Sequence, residues 1–396
     1  MKKILIAAVA SLLCCCKSQV PDVPYPVIDL VDARHETVPL SRLFSSVEYV
    51  RLETTPECVL NDNYLSTRVT DNYIVAVDVI TQSAFLFDRA DGSFIKRIGM
   101  QGHGPGEYLR VVPGGAFDEE RQVLYFDCND RWMGVNIETG EKNYVRKPQN
   151  MGRHVGEADY QPFGPPFAMK DGNFIVFLSN ISGSDSVRLM VFDENGAVLG
   201  AYPNYQTFVS APDRRSVARG SADIYYAADG LYFKEARYDD TVFTVTPSGL
   251  EPRMLFWLGG KGVPYDPSLR SPETEYYEVS LKKETAGYVI FSYMAKLHNY
   301  AGYYDKAKDK TFVCDTPKPT FYGGAEYVYP NDIDGLFDLS PDFAINAGDE
   351  IYKRLSAMEV AAFMEGSQRT GPAADYLREV KEDDNPVIMI AILKKD

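Results

Sequence analysis

Short runs of apolar or alternating apolar and polar residues, each ended by a polar turn, make up most of this chain. The clearest pair is residues 85–87 and 93–98, which are joined by the turn at 88–92 and followed by a glycine-rich run at 99–106. Two such runs joined by a turn that ends in glycine predict a β-hairpin. The chain is therefore expected to be rich in short antiparallel strands.

The same hairpin pattern recurs along the chain. The further pairs are residues 123–126 with 133–137, 174–178 with 188–192, 231–233 with 241–245, and 288–293 with 301–304. The turn glycines Gly92, Gly140, Gly196 and Gly249 are 48, 56 and 53 residues apart. A unit of about fifty residues with three or four short strands is typical of a β-propeller blade.

The two ends of the chain supply the strands that a closed ring still needs. Residues 47–52 alternate apolar and polar side chains, and residues 387–393 form a continuous apolar run rich in isoleucine. An open ring would leave two unpaired strand edges, which favour aggregation. We therefore expect these two segments to pair with each other. The predicted fold is all-β, a six-bladed β-propeller closed by its N- and C-terminal strands.

Three segments interrupt the strand pattern and are predicted to be short helical insertions. They are residues 271–285, Ala357–Gly366 with an apolar stripe, and residues 372–381 with a proline at an early position. Because they lie between strand units, they are expected to be loops on the ring rather than separate domains. Loops on a rigid scaffold commonly carry function.

The N-terminus has the features of an export signal. Lys2 and Lys3 precede ten apolar residues, a segment too short to span a bilayer, which runs into Cys14, Cys15 and Cys16. A leucine three positions before Cys16 is typical of a bacterial lipoprotein signal, so Cys16 is the predicted lipidation site and Cys15 the second choice. The expected organisation is a signal at 1–16, a proline-containing tether and lead-in at 17–40, and one propeller domain at 41–396.

Charge and cysteine content narrow the possible partners. The formal charge of the 396 residues is −15, and it becomes −17 when Lys2 and Lys3 are removed with the signal. A chain this acidic is not expected to bind nucleic acid, and its contact with the membrane is expected only through the lipid anchor.

Cys58, Cys128 and Cys314 would remain after lipidation of Cys16. Three scattered cysteines are not a disulfide framework, so buried free thiols are expected.

The first hairpin ends in a sequence that resembles a known family. Gly99, Gly102, Gly104, Pro105, Gly106, Glu107 and Tyr108 are its matching residues. With them go the segment at 47–54, the segment at 238–243 and the terminal strand that follows Asn385 and Pro386. These pieces resemble the six-bladed β-propeller lipoproteins of Bacteroides-type bacteria, which are distantly similar to NHL-repeat propellers. The resemblance covers the chain from about residue 28 to its end. It implies a fold and a place in the cell envelope, but no activity and no functional residues.

The glycine-rich run could be mistaken for a phosphate-binding loop. Such a loop needs a helix immediately after it, because the helix N-terminus binds the phosphate. Strands are predicted on both sides of this run instead. Gly102, Gly104, Pro105, Gly106, Glu107 and Tyr108 are therefore expected to form a structural turn between two blades.

Few other residues suggest chemistry. The four histidines are at least 51 residues apart and no Cys-x-x-Cys pair occurs, so neither a metal site nor a cofactor is predicted. No nucleophile elbow is present, and no catalytic residue is assigned. The acidic pair Glu119-Glu120 is expected on a solvated turn. Tyr238, Asp239 and Asp240 precede a predicted strand and are the candidates to face the channel, although a turn-capping role is favoured for the two aspartates.

Two functions from different classes remain open at this stage. The first is a lipid-anchored, non-catalytic module of the cell envelope that binds a small molecule, a glycan or an envelope protein. The second is an envelope enzyme, a glycan lyase or hydrolase, that uses carboxylates and tyrosines at the propeller channel. Convergence of such side chains from three or more blades in one pocket, with shifted pKa values, would favour the enzyme. A structural subunit of an envelope complex is a third, weaker possibility.

Overall fold

A computed structural model describes residues 20–149, 151, 166–178, 180, 183, 185–208, 222–227, 230–235, 237–320, 324–341 and 348–395. Within strands and helices, the side chains of residues 63 and 113–116 are not described. The predicted signal at 1–16 and its cysteines Cys14, Cys15 and Cys16 lie outside these ranges. In the described part of the chain, no helix is both long enough and apolar enough to cross a membrane.

The strands assemble into six sheets, and each of the first four is built mainly from consecutive strands. Sheet 1 contains Leu65–Val69, Tyr73–Asp78, Ser83–Asp88 and Phe94–Arg97. Sheet 2 contains Arg110–Asp118, Val123–Asp127, Arg131–Asn136 and Lys142–Arg146. Sheet 3 contains Phe167–Ala168, Phe174–Phe177, Val187–Phe192 and Val198–Pro203. Sheet 4 contains Ala222–Ala227, Gly230–Glu235, Thr241–Thr246 and Gly249–Trp257.

The last two sheets depart from the simple four-stranded plan. Sheet 5 contains Tyr277–Glu284, Tyr288–Ala295, His298–Asp305 and Lys310–Cys314, with Thr316–Pro319 and Ala325–Val328 beside them. Sheet 6 contains Phe44–Arg51, Glu350–Leu355 and Val387–Leu393. Two short N-terminal strands also join sheets. Val27–Asp29 pairs in parallel with the last strand of sheet 4, and Arg34–Glu36 with Lys310–Cys314. Part of the segment expected to be a lead-in is thus built into the sheets.

The predicted pairing of the two chain ends is confirmed. Val387–Leu393 lies antiparallel to Phe44–Arg51, with Val387 opposite Arg51 and Met389 opposite Tyr49. The same strand pairs on its other side with Glu350–Leu355. The C-terminal strand is therefore the central strand of sheet 6, which explains why it is apolar along its whole length.

The architecture is all-β and propeller-like, but the number of full blades differs from the expectation. Sheets 1 to 5 each have four or more strands, whereas sheet 6 has three. The structure thus contains five full blades rather than six. Residues 52–61, which would supply the outer strand of sheet 6, form no strand.

Two of the three predicted helices are present, and the third prediction was wrong. Helix α1 spans Ala357–Gly366 and helix α2 spans Pro372–Leu377, shorter than expected. Short 3₁₀ turns occur at Leu40–Arg42, Asp62–Tyr64 and Pro267–Leu269. Most of the segment at 271–285 is the first strand of sheet 5. Its buried residues Val279, Leu281 and Lys283 alternate with less buried ones, which is the period of a strand.

The hairpin turn at residues 305–309 contains no glycine, and its backbone shows why the other hairpin turns carry one. Gly92, Gly140 and Gly196 have φ near +80°, a left-handed conformation that glycine adopts without strain. In the fifth unit Asp309 takes this conformation, with φ of +51°. Aspartate tolerates it better than most residues. The break in the glycine repeat is therefore a change of residue and not a change of backbone.

The hydrophobic core lies mainly between neighbouring sheets. Between sheets 1 and 2, for example, Leu86 and Val75 pack with Phe126 and Met133. Tyr108, the last residue of the glycine-rich run, is fully buried in this cluster and stacks on Phe126 at 4.1 Å between ring centroids. The free cysteines belong to the same kind of packing, since Cys58 and Cys314 are buried and Cys128 is half-buried.

Candidate ligand-binding site

A cavity of about 950 Å³ lies where the first strands of the sheets end. Its walls receive residues from all six sheets, including Val69, Asp118, Ala168, Ala227, Lys283 and Leu393. Side chains from every sheet can meet only near the axis of a ring, so we call this space the axial cavity. Its volume falls at the upper end of the range for small-molecule sites.

Turns after the first strands deliver most of the polar groups of the axial cavity. Asp71 and Asn72 follow the first strand of sheet 1, and Glu119 and Glu120 follow that of sheet 2. Lys170 follows the first strand of sheet 3. Because these turns connect adjacent antiparallel strands, they all lie at one end of the ring. The repeat thus gathers polar residues far apart in sequence at one place.

Lys283 is the buried cation of the axial cavity. Only 6% of the residue is exposed. A register shift between Leu281 and Lys283 leaves Lys282 as an extra residue, and such a bulge redirects the end of the strand. Burial lowers the pKa of the Lys283 amine, while the carboxylates of Glu119, Asp349 and Glu350 act in the opposite direction. Among the described residues its side chain makes no hydrogen bond and no ion pair.

Glu119 supplies a carboxyl group that titrates near neutrality. Burial raises its pKa to about 7, although the positive charges of Arg68 and Lys283 lower it. Asp71 and Glu350 raise it further. At neutral pH the group is therefore present both with and without its proton. This differs from the solvated turn expected for the pair Glu119-Glu120, of which only Glu120 is exposed.

A second buried carboxyl group, that of Asp223, belongs to the first strand of sheet 4. Asp223 is only 5% exposed and lies four residues before Ala227, or about 13 Å along the strand. Burial raises the pKa of Asp223 to about 7 against the charges of Lys282, Lys234 and Arg68. Its Oδ2 has no hydrogen-bond partner within the described ranges. The channel interior therefore contains ionisable groups of both signs.

Other residues of the cavity wall are held by direct hydrogen bonds or form the rim of the cavity. Glu284 receives hydrogen bonds from Arg253 at 2.7 Å and from Lys306 at 2.9 Å, which keep its pKa below the ordinary value despite burial. At the rim, Lys170 lies over the ring of Tyr226 at 4.5 Å. Phe117, Phe167 and Tyr288 are further half-buried rings in the lining. The cavity thus combines aromatic faces with hydrogen-bonding groups.

The residues expected to face the channel lie elsewhere. Tyr238, Asp239 and Asp240 occupy the turn after Gly230–Glu235, and none of them lines the axial cavity. Glu235 is paired with Ala222, so this turn is about 17 Å along sheet 4 from Ala227 at the cavity.

Asp239 and its neighbours form a separate buried network. Arg188 donates to Glu235 at 2.6 Å and to Asp239 at 2.8 Å. The ammonium of Lys234, which is fully buried, donates to the backbone oxygens of Glu235 and Asp239. Asp239 also accepts from the Thr241 amide at 2.9 Å, as expected for a residue that caps a turn.

Asp240 and Tyr238 are placed differently around this network. Burial raises the pKa of the Asp240 carboxyl to about 6. Tyr238 is buried with Phe208 and Val263, its ring 5.3 Å from that of Tyr265. The turn therefore binds sheet 4 to sheet 3.

The glycine-rich run connects sheets 1 and 2. The Glu107 carboxylate accepts from the Gly104 amide at 2.7 Å, and the Tyr108 hydroxyl donates to the Gln82 carbonyl at 2.9 Å. A β-carbon on Gly102 would lie 1.9 Å from Glu107 Oε2, so a side chain at this position would displace the Glu107 carboxylate from the Gly104 amide. Gly106, with φ of +81°, adopts the left-handed backbone. The strand at Arg110–Asp118 follows, and the geometry is that of a connection between blades.

Sequence reasoning missed the residues that matter most here. Lys283 falls in the segment predicted to be a helix, and Glu119 was expected on a solvated turn. Each lies at or near the end of the first strand of its sheet. Position within the repeat was therefore the signal that could have found them. Among the described residues, no three His, Cys, Asp or Glu side chains cluster in a way that could hold a metal ion.

Comparison with known protein families places the chain. A family model described as a domain of unknown function, DUF4934, matches residues 25–391. The chain belongs to this family. No curated protein matches the DUF4934 chain.

One solved structure shares the fold over nearly the whole chain, and two others are similar at lower scores. A protein of Bacteroides fragilis, described as exported, is similar over 94% of this chain and 100% of its own, with 18% identity and a TM-score of 0.64. A member of the DUF4221 family from Bacteroides vulgatus has 13% identity over 89% of this chain and 97% of its own, with a TM-score of 0.42. The β-propeller domain of Cps50 from Myceliophteria thermophila has 10% identity over 68% and 92%, with a TM-score of 0.38. At 18% identity, the likeness to the Bacteroides fragilis protein shows the fold alone.

Proposed function

We propose that this DUF4934 protein is an exported, lipid-anchored propeller that binds a small, hydroxyl-rich ligand such as a mono- or disaccharide in the axial cavity. The observation that carries the proposal is the meeting of polar side chains from all six sheets in one cavity of about 950 Å³. Carboxylates and lysines can accept and donate bonds to hydroxyl groups. The rings of Tyr226 and Tyr288 offer flat apolar surface for the C–H face of a sugar.

The axial cavity suits a neutral polar ligand better than a strongly charged one. Its wall includes seven acidic residues and four lysines, so neither sign of charge is absent. Of the acidic groups, Glu284 is engaged in ion pairs and Glu119 is partly protonated near neutral pH. A ligand with many hydroxyl groups can satisfy both donors and acceptors without adding a charge to a buried site.

Filling the mouth of the cavity tests the binding proposal. Ala286 is an exposed residue of a turn in the cavity wall, so Ala286→Trp should narrow the cavity without disturbing the core. Ala197, an exposed alanine in a turn of sheet 3 away from the cavity, provides the matched control Ala197→Trp. Calorimetric titration of the full chain in detergent with a panel of mono- and disaccharides should detect a ligand. Its affinity should fall at least about ten-fold only in Ala286→Trp. A panel without a binder, or equal affinity in both variants, would contradict the proposal.

Lipidation at Cys16 and export from the cytoplasm are part of the same proposal. The signal-like residues 1–16 support lipidation at Cys16, and the similar Bacteroides fragilis protein is described as exported. Cells given radiolabelled palmitate should label the wild-type protein and the Cys15→Ser variant, but not Cys16→Ser. Label retained in Cys16→Ser would move the anchor to another residue.

We also propose that the three-stranded sheet 6 serves as the sixth blade. It is built from both ends of the chain, as a closing blade would be, and Leu393 from its central strand reaches the axial cavity. Its missing outer strand corresponds to the irregular segment that follows Arg51. A crystal structure of the family in which sheet 6 packs between sheets 5 and 1 would support this count.

An envelope enzyme, a glycan lyase or hydrolase, is the second candidate function. Carboxyl groups from three sheets, Glu119, Asp223 and Glu350, have pKa values raised by burial, and Glu119 lines the axial cavity. Such perturbed groups are frequent at catalytic sites. Incubation of the protein with envelope and dietary glycans, followed by measurement of new reducing ends, tests for turnover. Activity that is lost in Glu119→Gln would replace the binding role by catalysis.

A further inference from the structure

We propose that Lys283 is a nucleophile that forms a reversible imine with an aldehyde or ketone group of the ligand in the axial cavity. This inference rests on the proposed function, because it assumes that the cavity holds a ligand. It names the chemical class of that ligand, a carbonyl compound such as the open-chain form of a small sugar.

The surroundings of Lys283 distinguish it from the other cations in and near the cavity. Lys170, Lys394 and Lys395 also line the cavity, but all three residues are exposed. Lys234 is completely buried, yet its ammonium donates to two backbone oxygens and does not line the cavity. Lys283 alone among these combines burial, a place in the cavity wall and a side chain without a direct partner in the described structure.

A buried amine without a direct partner is suited to attack a carbonyl carbon. Burial disfavours the charged form, and this lowers the pKa of the Lys283 amine even though three carboxylates lie near enough to act against it. A larger fraction of the amine is then uncharged at neutral pH than for a lysine on the surface. Lysines that form imines in proteins are activated in this way.

Glu119 is placed to carry the protons of such a reaction. It lies near enough to Lys283 for each to alter the pKa of the other, but the two make no ion pair. Both residues line the axial cavity. A carboxyl group with a pKa of about 7 can both donate and accept a proton at neutral pH.

The reaction balances without any further reagent. The lone pair of Lys283 Nζ forms a bond to the carbonyl carbon, the oxygen takes a proton from Glu119, and the nitrogen gives up a proton in return. The resulting carbinolamine then loses its hydroxyl group as water after a second proton transfer, and a C=N bond forms. Both amine protons therefore leave with the oxygen. Addition of water reverses every step, so there is no net turnover of the ligand.

Reductive trapping tests this inference on the full chain in detergent. The protein is incubated with glycolaldehyde or glyceraldehyde at low concentration together with cyanoborohydride, which reduces imines to stable amines. Peptide mass spectrometry then locates the label. We expect Lys283 to be labelled at least about ten-fold faster than Lys170 and Lys395, and Glu119→Gln to slow this labelling by a similar factor.

Two variants separate chemistry from folding. Lys283→Arg keeps the positive charge and should retain the wild-type circular dichroism spectrum but lose the label at this position. Lys381→Arg, at an exposed lysine that does not line the cavity, is the control and should leave the labelling of Lys283 unchanged. Labelling of Lys283 at the rate of the exposed lysines, or no labelling of Lys283 in folded protein, would overturn the inference.

The outcomes also separate this inference from the proposed function. If sugars bind by calorimetry but Lys283 is not trapped, the imine is refuted and the binding role stands. If Lys283 is trapped selectively but no sugar binds, the hydroxyl-rich ligand is refuted and the carbonyl chemistry stands.

Discussion

At the scale of single residues, the channel of this protein holds charges that oppose folding. Asp223 is the clearest example, because the pKa of its buried carboxyl is raised from 3.8 to about 7. Arg68, Lys234 and Lys282 face it and reduce this penalty without removing it. A group that destabilises the folded state in this way is usually retained for a purpose other than stability. The axial site is therefore expected to cost the protein part of its stability.

The pH dependence of unfolding gives a test of this cost. Below about pH 4 the Asp223 carboxyl is protonated in both the folded and the unfolded chain, so it contributes nothing. As the pH rises to 7, the unfolded chain ionises while the folded protein keeps the proton, and stability falls. Asp223→Asn should remove this loss. Relative to wild type, its free energy of unfolding should increase by roughly 2 to 4 kcal/mol between about pH 4 and 8.

Urea denaturation at several pH values measures the effect of Asp223→Asn. The exposed Asp383 provides the surface control Asp383→Asn, beside which the change in the pH profile is measured. An unchanged pH profile in Asp223→Asn would show that the carboxyl is solvated.

At the scale of elements, the hairpin turns decide which residue types the repeat needs. Most sharp turns carry glycine at the left-handed position, but the turn between Ala295 and His298 has Lys296 there, with φ of +56°. A lysine in this conformation is strained, whereas glycine adopts it freely. The segment at 271–285, predicted to be a helix, belongs to the same sheet. Its alternation of apolar and polar residues was hidden by the charged pair Lys282 and Lys283.

Lys296→Gly is therefore expected to stabilise the protein. Relief of strain should outweigh the greater freedom of glycine in the unfolded chain, for a net gain of roughly 0.5 kcal/mol. The neighbouring Leu297 is exposed and does not have a positive φ, so Leu297→Gly is the matched control and should not stabilise. Thermal unfolding of the two variants beside wild type distinguishes them. A lower melting temperature for Lys296→Gly would contradict the assignment of strain.

At the scale of the whole molecule, sheet 6 joins the two ends of the chain. Its central strand, Val387–Leu393, is fully buried from Val387 to Ala391 and pairs on both sides. Without it, Phe44–Arg51 and Glu350–Leu355 would each lose a partner. The strand therefore stabilises a ring whose other sheets are built mainly from strands that are consecutive in sequence.

Deletion of residues 387–396 tests the role of this closure. The truncated chain is expected to lose its whole stability, which for a domain of this kind is on the order of 5 to 15 kcal/mol, and to be recovered as aggregate. Deletion of residues 395–396 only, which follow the strand, should leave folding unchanged. Soluble yield and circular dichroism compare the two. A folded, soluble 1–386 chain would show that the ring does not depend on this strand.

The sequence alone determined the local features of this protein. Turn glycines at intervals of about fifty residues and helices α1 and α2 could be predicted, because short-range pattern governs hairpins and helices. The pairing of the chain ends could be predicted for another reason, because an open ring would leave two unpaired strand edges. The sequence could not determine the number of full blades, because the outer strand of sheet 6 depends on what residues 52–61 pack against.

Only the tertiary structure decided the site. Lys283, Glu119 and Asp223 are separated by long stretches of sequence and look like ordinary charged residues of strands and turns. Closure of the ring removes them from water and brings them into one channel, and that burial shifts their pKa values. Tyr238, Asp239 and Asp240 had the more suggestive local sequence. They lie, however, at the end of the sheet 4 strands that is farther from the axial cavity.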